Sequence, residues 1–140
     1  MAKGFSLIEL LLVIGMMMIL GGMGLSVSGM FVSRRALSSG VDAVISSVST
    51  ARINSMSHKG GHVWGVRSRG SSVVVFMGSN YSNRDSSMDE SFDVKGVMFN
   101  DVEVVFNVFG MPNNSVEFDV RTASGIKRVI VNSSGGIDVE

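Results

Sequence analysis

Cysteine is absent from the 140 residues. Its absence removes disulfides, thiolate metal ligands and cysteine nucleophiles together, and it fits either redox compartment. Proline occurs once, at Pro112, so nothing upstream interrupts a long helix. Charge of one sign is also lacking. Twelve basic and twelve acidic side chains give a formal net charge of zero, so no global field recruits nucleic acid or an anionic surface. Phosphate loops, G-x-S-x-G elbows and dinucleotide fingerprints do not occur. The only histidines, His58 and His62, stand four apart with Gly60-Gly61 between them, which breaks the helix a paired metal site would need. Asp85, Asp89, Glu90 and Asp93 lack the alternating oxygen pattern of a calcium loop and read as a solvated loop. Arg52, Lys59, Arg67 and Arg69 read as solvated charges rather than a nucleic-acid patch, because acids elsewhere balance them. The expectation is a protein that is not an enzyme, holds no cofactor or metal, and does not bind nucleic acid.

Apolar residues make up 45% of the chain, and much of that share lies before residue 33. From Phe5 to Val32 the only ionisable side chain is Glu9, and the first basic pair beyond is Arg34-Arg35. A bilayer core needs about 20 mainly apolar helical residues, so the run predicts a membrane span. A cleaved signal peptide is the rival reading, with small residues at Ser26, Ser28 and Gly29 as a cleavage region. Against it stand the single basic side chain in the leader, Lys3, and the acid inside the apolar run. A carboxylate at the centre of a membrane helix costs about 2.5–3.5 kcal/mol, and less near the end. An ordinary anchor has no use for it.

The helical pattern continues beyond the arginines. Leu37, Val41, Val44 and Val48 share one face, and Gly60-Gly61 supplies a stop. A helix from Phe5 to about His58 would measure about 80 Å at 1.5 Å per residue. A stripe of small residues, including Gly29, Ala36, Gly40, Ala43 and Ser47, recurs at helical spacing. It reads either as a seam for neighbouring helices or as coincidence in a window rich in small residues. After Gly60, short β-type runs alternate with Gly, Ser and Asn. The expected strands are 62–67, 72–77, 92–99, 102–108, 115–121, 126–131 and 137–139, with 79–91 as an exposed polar loop. Trp64 is either a core anchor or a contact for another subunit.

Lys3-Gly4-Phe5-Ser6-Leu7-Ile8-Glu9-Leu10 resembles the type III signal of type IV pilins and pseudopilins. Ala51-Arg52, Phe106, Gly110, Lys127-Arg128-Val129-Ile130-Val131 and Gly135-Gly136-Ile137 are similar to loose head motifs of H-type minor pseudopilins and FimT-like minor pilins. The resemblance spans the chain and is specific over residues 3–10. It implies an α+β, pilin-like fold in which one long N-terminal helix, transmembrane in its first half, packs on a C-terminal antiparallel sheet or small β-sandwich. The implied parts are a leader at 1–4, a transmembrane half at 5–33, a soluble helical half at 34–59 and a β-rich head at 60–140. A prepilin peptidase would cut between Gly4 and Phe5, and the new N-terminal Phe5 would be methylated. Glu9 would then face the freed amine of a neighbouring subunit and set axial register. The implied function is a minor subunit of a type IV pilus or type II secretion pseudopilus. It would be a single-pass protein of the bacterial inner membrane with its head outside the cytoplasm. Its partners would be other pilins, the peptidase and the assembly platform. The alternative is a membrane-tethered binding module for DNA or a surface ligand that does not polymerise.

Overall fold

The computed structural model describes residues 6–140, except for the side chains of 22–28. The chain falls into two compact units, divided between Val32 and Ser33. Helix α1 spans Leu7–Met56, 50 residues. It begins at Ser6, whose carbonyl accepts the amides of Glu9 and Leu10 at 3.0 and 3.2 Å. It stops short of the expected glycines. His58 adopts left-handed geometry at φ 50°, and the Gly61 amide bonds back to the His58 carbonyl at 2.8 Å.

In the first unit every described side chain from Leu7 to Leu20 is exposed. Consecutive positions lie 100° apart, so this stretch is apolar on all sides rather than along one stripe. Among the described residues, no helix is long and apolar enough to cross a membrane. This finding overturns the transmembrane half expected at 5–33.

The second unit carries one open, wholly antiparallel sheet in place of the sandwich alternative. Its strands are β1 (Trp64–Gly70), β2 (Ser72–Met77), β3 (Asp85–Asp93), β4 (Met98–Phe106), β5 (Val116–Thr122), β6 (Gly125–Val131) and β7 (Ile137–Val139). Their spatial order is β3-β2-β1-β4-β5-β6-β7. Two corrections to the expected strands concern β3. Its residues were expected in the polar loop 79–91, yet Asp85–Asp93 pairs with β2 at the sheet edge. An edge strand exposed on both faces needs no apolar alternation, because ladder hydrogen bonds alone hold it. The run expected as one strand at 92–99 is instead the end of β3, a turn and the start of β4. β4 and β5 pair directly only at Met98↔Arg121 and Phe99↔Val120. Beyond these the Asn100 side chain bridges them, donating to the Glu117 carbonyl and accepting from the Asp119 amide, both at 2.9 Å.

The sheet buries one face under the helix. Val41, Val44, Val48 and Ala51 meet Trp64, Val66, Val75, Val104, Phe118, Val120, Val129 and Val131, with Leu37 packed at the margin. Helix and sheet unit approach closely at Gly40, where an added Cβ would lie 2.7 Å from Val120 and 3.1 Å from Val97. Gly40 and Ser47 of the small-residue stripe are therefore buried within this unit. They are not free to form a seam for other helices. Trp64 is a core anchor: it is fully buried, and its indole N–H donates to the Lys59 carbonyl at 2.9 Å. Ser55 closes the junction, its hydroxyl accepting the Trp64 amide at 2.7 Å.

Candidate functional site

Of the residues expected to carry processing and assembly, Gly4 and Phe5 lie outside the described residues. Glu9 is exposed in the first turn of α1. Ser6 and Glu9 have the S-x-x-E spacing of a capping box, and a carboxylate in the first turn is favoured by the helix dipole. Helix initiation thus accounts for an acid here without a lipid environment. That no helix among the described residues is long and apolar enough to cross a membrane also overturns what was built on such a span. That covers single-pass inner-membrane placement, the subunit role in a type IV pilus or type II secretion pseudopilus, and the membrane-tethered alternative.

Polar and apolar groups converge on Arg52, near the end of α1. Two turns close on it, and they share one construction. In Asn107–Met111 the Asn107 carboxamide oxygen accepts the amides of Phe109 and Met111 at 2.9 and 3.0 Å. In Asn132–Gly136 the Asn132 oxygen accepts those of Ser134 and Gly136 at 3.1 and 2.8 Å. Each is an N-x-x-G sequence whose glycine, Gly110 or Gly135, sits at φ 74° or 81°. Only glycine adopts that geometry readily, so the spacing from Asn to Gly dictates the turn. An added Cβ on Gly135 would lie 2.8 Å from the Gly110 carbonyl oxygen and 3.2 Å from Arg52. On Gly110 it would lie 3.0 Å from the Arg52 Nε.

Arg52 donates through Nη1 to the Gly135 carbonyl at 2.9 Å. Its Nε is buried with no hydrogen-bond partner. Arg67, Arg69, Arg84, Arg121 and Arg128 each reach a carboxylate within 4 Å, whereas Arg52 reaches none among the described residues. Ser49, Arg52, Ile53, Met56 and Ile137 line a cleft of about 260 Å³. Ile53 and Met56 are exposed at its edge, and Phe109, 75% exposed, stands at the tip of the first turn. The guanidinium is half-buried, and its unpartnered Nε is closed over by the Gly110 and Gly135 turns.

No known protein family, curated protein or solved structure matches the chain.

The remaining charged clusters are paired among themselves, although Asp89 Oδ1 is buried without a hydrogen-bond partner. Arg67 pairs bidentately with Asp101 at 3.0 Å, which holds that carboxyl below its usual range, first through these hydrogen bonds. Arg69 reaches the same acid at 3.8 Å, and Lys59 lies over the Trp64 ring at 5.1 Å. Of the four cations expected as solvated charges, Arg67 and Arg69 thus pair with Asp101, Lys59 stacks on Trp64 and Arg52 holds the Gly135 carbonyl. Tyr81 lies under the guanidinium of Arg84 at 3.7 Å and that of Arg67 at 4.7 Å, with Phe76 edge-on at 5.4 Å. Arg84 also pairs with Asp89 at 2.7 Å. His62, Arg84 and Asp85 share a second cleft, of about 280 Å³. There the Ser87 hydroxyl and amide, more than His62, hold the Asp85 carboxyl low. Among the described residues no group of three side chains could hold a metal ion.

Sequence reasoning named Arg52, Gly110 and Gly135 as separate, loose motifs. The repeated N-x-x-G spacing was the signal that could have joined them.

Proposed function

We propose that this protein is a non-catalytic interaction subunit that associates with further copies of itself through the apolar stretch Leu7–Leu20 of α1. One observation carries the reading: large apolar side chains there are exposed on every side, Leu7 at 78% and Leu20 at 71%. A helix of that kind is stable only when surrounded. Lying along a lipid surface requires a polar face, which this stretch lacks. Helices of the same length and apolarity, contributed by other copies, would cover all sides at once and release ordered water from each. Sedimentation velocity of the full chain in aqueous buffer tests the reading. A concentration-dependent oligomer, weakened by Leu11→Glu, is expected. A monomer at every concentration would overturn the proposal, as would recovery of the native chain in a carbonate-resistant membrane fraction.

The resemblance of residues 3–10 to the pilin-type signal supports a second part of the reading, which concerns processing and family. A prepilin-type peptidase would remove residues 1–4, leaving an α-amine at Phe5 near the Glu9 carboxylate of an adjacent copy. The expected mature chain begins at Phe5. Intact-mass measurement of the native protein checks this, and a chain still beginning at Met1 or Ala2 refutes it.

A further inference from the structure

We infer that the open edge of β3 receives an extended, basic segment of another protein, added antiparallel as a further strand of the sheet. β3 is last in the strand order and pairs only with β2. A strand with one side unpaired presents a row of N–H and C=O groups to which another chain can bond. The edge is not uniform. The register shifts between Val75 and Met77, and Ser86, Ser87, Met88 and Asp89 have no partner in β2. Residues 90–93 run in unbroken register opposite 72–75, so this stretch is the one shaped to take a strand.

Charge decides the occupant. Asp85–Asp93 holds four acids and no base. Two of the acids are already engaged, Asp85 by the Ser87 hydroxyl at 2.6 Å and Asp89 by Arg84 at 2.7 Å. Glu90 and Asp93 are exposed and join none of the ion pairs of the described residues. They stand at the two ends of the regular stretch. A segment laid against it therefore meets a carboxylate at each end, and opposite charges directly across a ladder stabilise the pairing. Between them, Phe92 lies opposite fully buried Val73 yet is 40% exposed. Its ring extends the core face past the last strand and favours an apolar residue across from it. The complementary segment, read antiparallel, is basic, apolar, polar, basic. The same charges select against a second copy of this chain. Another β3 would set acid against acid, and β7, at the far edge, carries exposed Asp138 and leads into exposed Glu140. The docking edge does not involve α1 and stands apart from the self-association reading.

A dye-labelled peptide with a lysine–valine–threonine–lysine core between flanking threonines probes the edge, by fluorescence anisotropy against the full chain. It should bind at least about tenfold more tightly than the same peptide with glutamate in place of lysine. The double variant Glu90→Lys, Asp93→Lys should reverse that order. Its thermal midpoint should stay near that of the parent, because both side chains are exposed and unpaired. N-methylation of alternate peptide amides separates strand addition from charge attraction alone. An added strand turns only every second amide towards β3, so one of the two N-methylated isomers should lose about tenfold or more in affinity while the other keeps it. Equal binding of the lysine and glutamate peptides, equal binding of the two isomers, or no binding to the parent chain would overturn the proposal.

Discussion

Ser55 shows how much one hydroxyl holds at the point where helix gives way to strand. It is fully buried, accepts the Trp64 amide at 2.7 Å and lies 3.3 Å from the Trp64 carbonyl. Ser55→Ala strands that amide out of reach of water, so unfolding free energy should fall by about 1–3 kcal/mol, read from the urea midpoint. Gly40 is constrained by space rather than by hydrogen bonding. Gly40→Val would press on Val120 and Val97 and should cost about 1–3 kcal/mol despite the better helix propensity of valine. Neither residue announces itself in sequence. Ser55 is one of several serines in the helix, and Gly40 reads as one of many small residues. Their roles come from what lies across from them in space.

At the scale of elements, the weak seam is between β4 and β5. Direct pairing is limited to two residue pairs, and Asn100 carries the rest through its amide. Asn100→Ala should speed hydrogen exchange at the Asp119 amide well ahead of the amides shared by β1 and β2, with a stability loss of about 1–2 kcal/mol. The helix face at Leu37, Val41, Val44 and Val48 was legible because apolar residues at alternating four and three steps lie on one side whatever they pack against. β3 was not legible. Its polar residues face solvent on both sides, and its pairing with β2 depends on backbone groups that every sequence possesses. The twin turns at Asn107 and Asn132 stand between these cases, since the N-x-x-G spacing is local but its repetition beside one arginine is not.

Across the whole molecule, zero net charge conceals a set of directed carboxylates. The Asp119 carboxyl is held below its ordinary range by hydrogen bonds from Arg121 and then Arg128. Asp101 is held low chiefly by Arg67. A depressed folded-state value means stability that is present above the unfolded carboxylate pKa of about 3.9 and lost as pH falls through the folded value. Thermal melts should therefore be flat through neutral pH and decline in the acid range below about pH 4. Asp119→Asn should flatten the acid decline. Equal acid sensitivity in the variant and the parent would show that this carboxylate is not responsible.

Sequence alone determined the long helix, its apolar beginning, the valine face that meets the sheet and the β-rich remainder, because each rests on periodicity or composition within a short window. The sequence predicted that the apolar beginning crosses a membrane, whereas among the described residues no helix is long and apolar enough to do so. The edge strand, the burial of Gly40 and the meeting of Arg52 with two distant turns were decided by tertiary structure. Pairing across a sheet, close approach and an unmet hydrogen bond are relations between residues far apart in the chain, and no local pattern encodes them.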